Sequence, residues 1–167
     1  MCGILFLIQK EKIIKKEKFK KSIYHQQWRG PDNTSLIFLD DDKIFMGHNR
    51  LTIIDKNKRS NQPLYSKDGR FLIIFNGEIY NYKQLTNKYK FDLKTKSDTE
   101  VVLEGYILKK EKILDELDGM FAFVIFDTKL KNWFCARDQF GIKPLYLFQN
   151  NKITIIGSEI STILKLV

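Results

Sequence analysis

The sequence has few of the residues that build disulfide frameworks and metal centres. Its 167 residues include two cysteines without CxxC spacing and two isolated histidines, so we predict neither a disulfide scaffold nor a metal site. The longest apolar runs, residues 4–8 and 121–126, are far shorter than the roughly 20 residues that span a bilayer, and no charged-then-apolar leader precedes them. These features predict a cytoplasmic protein that has no membrane segment.

Acidic residues are too few to balance the basic ones, at 20 against 29, which gives a net charge of +9. A basic balance can indicate a nucleic-acid partner. Seven of the lysines lie within residues 10–21, interleaved with Ile13, Ile14 and Phe19, and no RNA-binding aromatic signature or helix-turn-helix pattern accompanies them. This interleaving is typical of a solvated face, so we predict that the chain does not bind nucleic acid.

Apolar periodicity predicts an α+β fold. Strands are expected at residues 2–9, 34–39, 43–48, 71–75, 120–127, 133–137, 145–148 and 153–156, and helices at 16–28, 80–88, from a capping box at 97–100, and from 159. Strands that are apolar on both faces must be covered on both sides, and the helices fall between strand clusters instead of alternating with each strand. The pattern favours packed antiparallel sheets covered by helices over a doubly wound parallel sheet.

Cys2 directly follows the initiator methionine, and cysteine is small enough for Met1 to be removed. One residue would then carry both a thiol and a free α-amine, which titrate near 8.5 and roughly 7.7–8.0 when unperturbed. The amine could therefore activate the thiol as a nucleophile. By position alone, the competing interpretation is a small buried residue that opens an apolar strand.

Eight motifs follow one another along the chain. They are Met1-Cys2-Gly3-Ile4, Arg29-Gly30-Pro31-Asp32, residues 48–55 (HNRLTIID), Gln62-Pro63-Leu64, residues 76–81 (NGEIYN), Ser97-Asp98-Thr99-Glu100, residues 117–123 (LDGMFAF) and residues 137–146 (RDQFGIKPLY). Together they resemble the N-terminal glutaminase domain of glutamine-hydrolysing asparagine synthetases. The resemblance covers nearly the whole chain and favours the nucleophile interpretation of Cys2.

The resemblance implies an N-terminal-nucleophile hydrolase fold, a four-layer αββα sandwich with two antiparallel sheets. It implies one glutaminase domain over residues 1–167, with the C-terminal synthetase domain expected to be absent. The implied reaction is that of class II glutamine amidotransferases, in which glutamine and water give glutamate and ammonia. Cys2 would attack the side-chain amide while its α-amine manages the proton, and a thioester would form.

Two neighbouring residues match the oxyanion hole of that family. The resemblance assigns the side-chain amide of Asn76 and the backbone N–H of Gly77 to the negative oxygen of the tetrahedral intermediate. A glycine at this position permits either a close backbone approach or a sharp change of direction. Without the resemblance, Asn76-Gly77 is equally consistent with an ordinary turn after a strand.

The remaining predicted site residues would hold the backbone of glutamine. Arg50 matches the arginine that binds the α-carboxylate, since a planar guanidinium allows bidentate recognition. Main-chain groups would complete that wall at Leu51, Thr52, Ile53 and Ile54. Glu78 and Asp98 match the acidic groups that hold the α-ammonium, while Asp98 would also suit the dipole of the helix capped by Ser97. The substrate-binding set also includes Asn76 and Gly77.

Three further residues receive structural predictions. His48 offers a Cys-His pair, but the family uses no histidine base and a histidine at a strand end is more often structural. Arg29 and Asp32 are expected to order a loop near the site without taking part in catalysis. The 117–126 strand and the 137–146 segment are candidate docking faces for a partner.

The sequence contains no glycine-rich phosphate loop. We therefore expect no cofactor in this domain, with ATP and Mg²⁺ bound only by the synthetase domain that the family carries. The expected partners are L-glutamine and a synthetase domain or subunit, and a homodimer is an alternative assembly. The alternative function is a catalytically silent regulatory module that keeps the fold and binds a synthetase partner.

Overall fold

Two antiparallel sheets form the centre of the computed structural model, which describes residues 1–55 and 57–167. The first sheet has the order β2-β3-β1-β9-β8 and the second has the order β4-β5-β6-β7. The strands are β1 (Gly3–Gln9), β2 (Asn33–Leu39), β3 (Ile44–Arg50), β4 (Leu64–Tyr65), β5 (Phe71–Ile79), β6 (Gly119–Asp127), β7 (Asn132–Arg137), β8 (Tyr146–Gln149) and β9 (Ile153–Gly157). The α-helices are α1 (Lys16–His25), α2 (Tyr82–Tyr89), α3 (Asp98–Lys109) and α4 (Ile160–Leu164), and short 3₁₀ turns lie at Gln27–Arg29, Lys58–Ser60 and Lys110–Glu116.

Strand alternation divides the core into three apolar layers. On β1, Leu5 and Leu7 pack with Phe19 and Ile23 of α1, because successive side chains of a strand point to opposite faces. Ile4 and Phe6 point the other way and pack between the sheets with Leu72, Ile74, Val124 and Phe126. On the far face of the second sheet, Phe75 and Phe123 pack with α3 residues Val101, Val102 and Leu103. The predicted α+β four-layer αββα sandwich is confirmed.

Strand β5 continues through Asn76 and Gly77, where the sequence was also consistent with a turn. It runs in register against β6, with Gly77 opposite Phe121, and ends at Ile79. A Cβ atom on Gly77 would lie 2.4 Å from the Met120 carbonyl oxygen. Of the two alternatives given for this glycine, the structure therefore supports the close backbone approach and not the change of direction.

Two helix predictions also change in detail. The helix expected over 16–28 ends at His25, and a 3₁₀ turn follows. Ser97 caps α3 as predicted, because its hydroxyl accepts from the Thr99 N–H. The reciprocal half of the capping box is wrong, since the Glu100 carboxylate instead accepts from the backbone N–H groups of Lys94 and Thr95.

None of the helices in the described part of the chain has the length and apolar character needed to cross a bilayer. The docking face expected at residues 117–126 is wrong for residues 121–126. Residues 121–126 are buried at the centre of the second sheet, because β6 is covered by β5 and β7 at its edges and by apolar layers on both faces. The 137–146 segment, in contrast, exposes Phe140 and Ile142.

Candidate active site

A cavity of about 100 Å³ opens at the end of the sandwich where β1 begins and β3 ends. Nine of the ten predicted site residues line it, namely Cys2, Arg50, Leu51, Ile53, Ile54, Asn76, Gly77, Glu78 and Asp98. Thr52 is directed elsewhere, because its backbone N–H donates to the Asp32 carboxylate at 2.7 Å. The structure therefore gathers residues from four separate sequence segments around one cavity.

Cys2 lies at the cavity wall with its sulfur directed toward the loop after β3. The Leu51 N–H donates to Sγ at 3.4 Å, and Sγ lies 3.7 Å from the Leu51 carbonyl oxygen. Burial raises the pKa of the thiol, and the N–H of Leu51 opposes that rise. Since burial favours the neutral thiol, a nucleophilic Cys2 needs a base beside it.

Arg29 fixes the backbone of Cys2 from outside the cavity. Its Nε donates to the Cys2 carbonyl oxygen at 3.0 Å, and its terminal nitrogen forms an ion pair with Glu159. Together with the bond between Asp32 and Thr52, this contact orders the backbone on either side of the sulfur. The prediction that Arg29 and Asp32 are structural agrees with these contacts.

Asn76 faces Cys2 across the layer between the sheets. Even-numbered residues of β1 and β5, such as Ile4 and Ile74, point into this layer, so the same alternation directs Cys2 and Asn76 into its open end. Asn76 is 1% exposed, and its Nδ2 has no hydrogen-bond partner among the described residues. Because buried polar groups are nearly always paired, this free donor indicates a place for an acceptor that a ligand brings.

The backbone N–H of Gly77 points to the edge of β5 that borders the cavity. The adjacent odd-numbered residues on this edge donate to side chains, Phe75 N–H to Gln62 at 2.6 Å and Ile79 N–H to Asp98 at 2.9 Å. Successive N–H groups of a strand point to opposite edges, so the N–H of Gly77 lies on the same edge between them. Strand β4 pairs with β5 only at Leu72 and Ile73 and does not reach Gly77. Asn76 and Gly77 thus present two donors to one cavity.

Arg50 organises the loop that closes one side of the cavity. It is 6% exposed, and its terminal nitrogens donate to the carbonyl oxygens of Ile54 and Asn57 and, at 2.6 Å, to the Asn61 side chain. The guanidinium therefore lies at the predicted carboxylate wall but already serves the loop with both terminal nitrogens. Bidentate binding of a carboxylate through these nitrogens requires some of the loop contacts to be exchanged.

Two carboxylates, those of Glu78 and Asp98, also line the cavity. Asp98 is 4% exposed and accepts from the backbone N–H groups of Ile79 at 2.9 Å and Thr99 at 3.0 Å. Burial, and after it the negative charge of Glu78, raise the pKa of Asp98 to about 6 against the effect of these hydrogen bonds. A cation placed between Glu78 and Asp98 would relieve this repulsion, so the pair suits a ligand's ammonium group.

His48 is fully buried below the cavity, where its Nε2 lies 3.1 Å from the Phe75 carbonyl oxygen. Desolvation lowers its pKa to about 4, so the ring is neutral at neutral pH. With a hydrogen on Nε2 it donates to β5, and its position ties β3 to the strand that carries Asn76. These contacts agree with the structural prediction for His48 and give no Cys-His pair.

Gln62 and Lys143 are among the cavity residues that sequence reasoning gave no role. Gln62 belongs to one of the ordered motifs and is 6% exposed, and Lys143 belongs to another and is 7% exposed. A motif position is the only sequence signal for either residue. The described part of the chain contains no group of three or more His, Cys, Asp or Glu residues that could hold a metal ion.

Comparison with solved structures identifies the fold. The fold is that of the N-terminal-nucleophile amidotransferases: the glutamine phosphoribosylpyrophosphate amidotransferase from B. subtilis, solved with ADP and GMP, matches with a TM-score of 0.81. The match has 19% identity and covers 99% of this chain and 43% of that one. A structure described as the allosteric regulatory enzyme of purine biosynthesis matches with a TM-score of 0.82, 19% identity and the same coverage.

The sequence comparisons identify the family. The profile described as "Glutamine amidotransferase domain" matches residues 1–167, and the chain belongs to that family. A putative glutamine-hydrolysing asparagine synthetase 2 of Methanocaldococcus jannaschii is 35% identical over 98% of this chain and 35% of its own length. Asparagine synthetase 2 of Arabidopsis thaliana is 40% identical over 88% of this chain, and asparagine synthetase 1 of Bacillus subtilis is 38% identical over 95%. The chain spans only about a quarter to a third of the length of these relatives.

Proposed function

We propose that this chain hydrolyses L-glutamine to L-glutamate and ammonia, with Cys2 as the nucleophile after removal of Met1. The observation that carries the proposal is the pair of donors at Asn76 and Gly77 beside the Cys2 thiol. Two preorganised donors beside a nucleophile are the arrangement that acyl transfer requires. No comparison favours the alternative of a catalytically silent regulatory module.

The proposed reaction has two steps. The Cys2 sulfur attacks the side-chain amide carbon as the thiol proton passes to the α-amine, and the amide oxygen, now negative, accepts hydrogen bonds from Asn76 and Gly77. Collapse of this intermediate transfers the proton to the leaving nitrogen, releases ammonia and leaves a thioester. Water then attacks the thioester carbonyl, which releases glutamate and restores the thiol.

The same cavity supplies groups for both ends of the amino acid. The proposed ammonium site lies between Glu78 and Asp98, and the proposed carboxylate site lies at Arg50 and the main chain of Leu51, Ile53 and Ile54. No step needs a metal ion or an organic cofactor, because the thiol, the amine and the two donors perform the chemistry. Any use of ATP and Mg²⁺ stays assigned to a synthetase portion.

We further propose that the ammonia supplies an ATP-dependent amidation of the asparagine-synthetase type, because the relatives carry that name along chains three to four times as long. Exposed apolar side chains at Phe140, Ile142 and Leu147 flank the cavity residue Lys143 and suit a docked synthetase domain or subunit. The homodimer and the cytoplasmic location stay predictions.

The test measures intact mass and glutamate release on the same sample for the wild type, Cys2→Ala and Asn76→Ala. We expect loss of one methionine, no activity in Cys2→Ala, and a fall in kcat of about 100- to 1,000-fold in Asn76→Ala, because one oxyanion donor is removed. An exposed asparagine on α2 provides the control Asn87→Ala, which should keep wild-type activity. Glutamate release by Cys2→Ala at the wild-type rate would contradict the proposal.

A further inference from the structure

Gln62 is a buried bridge between β5 and the first turn of α3. Its Oε1 accepts from the Phe75 N–H at 2.6 Å, and its Nε2 donates to the Thr99 hydroxyl at 3.2 Å. The residue is 6% exposed and lines the cavity, yet the proposed reaction gives it no part. One side chain thus joins the strand that carries Asn76 to the helix turn that carries Asp98.

The bridge lies where β5 loses its neighbour strand. Beyond Ile73, β4 no longer pairs with β5, so the N–H groups of Phe75, Gly77 and Ile79 face an open edge. Gln62 occupies the first of these donors and Asp98 occupies the third. The N–H groups of Phe75 and Ile79 on this edge therefore both have acceptors, and the Gly77 N–H lies between these two donors.

We propose that Gln62 is a positioning residue that fixes the oxyanion-binding segment, Asn76 and Gly77, through the backbone of Phe75. The inference rests on the proposed glutaminase function. Without the Gln62 carbonyl, the buried N–H of Phe75 loses its acceptor, and the strand must shift or admit water to satisfy it. Either response displaces the two donors that follow directly in the chain, whereas the groups around the substrate's α-carbon keep their other contacts.

The expected signature is a loss of turnover without a loss of substrate binding. Donors that are misplaced by a fraction of an ångström stabilise the transition state less, and such displacements lower kcat by about 10- to 100-fold. The dissociation constant of glutamine, measured in a Cys2→Ala background, should stay within about threefold because ground-state contacts are retained. A residue with a purely structural role would lower the amount of folded protein and leave kcat per folded molecule unchanged.

The experiment compares Gln62→Met, Gln62→Glu and Gln9→Met for kcat, glutamine dissociation constant and thermal stability. Gln62→Met keeps the side-chain volume and removes both hydrogen bonds, whereas Gln62→Glu keeps an acceptor for the Phe75 N–H and should recover part of the lost kcat. Gln9 is the matched control: it is 3% exposed, accepts from the Ile14 N–H at 2.8 Å and lies far along β1 from the cavity. Gln9→Met should lose stability and keep its kcat.

The inference would be overturned if Gln62→Met kept the wild-type kcat per folded molecule. It would also be overturned if the glutamine dissociation constant rose by the same factor as kcat/KM fell. If Gln62→Met does not fold, Thr99→Val answers the question, because it removes the acceptor of Nε2 only. A smaller fall in kcat in Thr99→Val supports the inference, and an unchanged kcat overturns it. If the wild type releases no glutamate, the proposed function fails and this inference fails with it. If the wild type is active and the variants contradict the expected kcat, only this inference fails, so the two failures are distinguishable.

Discussion

At the scale of single residues, the site combines groups whose environments differ sharply. Asn76 has a buried amide without a partner, whereas Asp98 has two backbone donors and still holds an elevated pKa of about 6. Burial explains the difference: it leaves a neutral amide ready to donate, but it penalises a carboxylate that hydrogen bonds alone do not compensate. The environment of Asp98 therefore favours a cationic ligand beside it.

The elevated pKa of Asp98 predicts a pH-dependent affinity for glutamine. Below about pH 6 the carboxyl group becomes neutral, so the dissociation constant in a Cys2→Ala background should rise by about tenfold in total between pH 7 and pH 5. Over the same fall in pH, Asp98 by itself contributes a gain in the stability of the ligand-free protein, because a raised pKa means that the native state binds the proton before the unfolded chain does. Buried His48, whose pKa is lowered to about 4, contributes a change of the opposite sign.

Titration calorimetry between pH 5 and 7.5 measures this affinity. In Asp98→Asn, glutamine should bind more weakly than in the parent at pH 7.5, with little change across the range. Asp115→Asn alters an exposed carboxylate and should retain the full pH dependence. A parent affinity that is constant from pH 7 to pH 5 would refute the assignment of Asp98 as the ammonium partner.

At the scale of elements, the first turn of α3 links helix stability to the site. Ser97 is the N-cap, Asp98 is the first helical residue, and Thr99 accepts from Gln62. The carboxylate of Glu100 ties the preceding residues Lys94 and Thr95 to the same turn. The helix end is thus built from side chains that either cap the helix or face the cavity.

Removal of the cap should therefore lower the free energy of unfolding by a measurable amount. Ser97→Ala removes one of the two acceptors of the Thr99 N–H and should lower the free energy of unfolding by about 1 kcal/mol, within a range of about 0.5–2 kcal/mol. Urea titration measures the change. Ser35→Ala removes a half-buried hydroxyl on β2 that donates to the Asn33 side chain, and its effect should stay within about 0.5 kcal/mol. Equal losses in the two variants would show that the cap contributes nothing specific.

At the scale of the whole molecule, the layer between the sheets holds the two halves of the site together. Cys2 extends from the first sheet and Asn76 from the second, so their separation depends on the packing of Phe6, Ile74 and their neighbours. Protein interiors are close-packed, so a void in this layer would displace residues at its open end. The core thus positions the site as well as stabilising the fold.

A large-to-small substitution in this layer should be costly. Ile74 is fully buried, and Ile74→Ala should lower the free energy of unfolding by about 2–5 kcal/mol through lost burial and the cavity that remains. Ile13 is 48% exposed and provides the control Ile13→Ala, with an expected change within about 0.5 kcal/mol. Urea unfolding of both variants measures the difference, and a loss below 1 kcal/mol in Ile74→Ala would contradict the described packing.

The sequence by itself determined the layers and the membership of the site. Alternating apolar residues, such as Ile4 and Phe6 against Leu5 and Leu7, specify a strand covered on both faces, because side-chain direction repeats every two residues. The ordered motifs led from Cys2 to Asp98, and nine of the ten residues so chosen line one cavity. Local pattern and motif order carry this information without any contact being known.

Only the tertiary structure decided what those residues touch. The partners of Arg50 lie in the loop that follows it, β5 continues through Gly77 because β6 approaches it closely, and Gln62 bridges two elements that are distant in sequence. Hydrogen bonds between separate segments depend on where the folded backbone leaves donors unpaired. No local sequence pattern encodes that requirement, because an edge such as that of β5 exists only once β4 has ended and α3 has packed beside it.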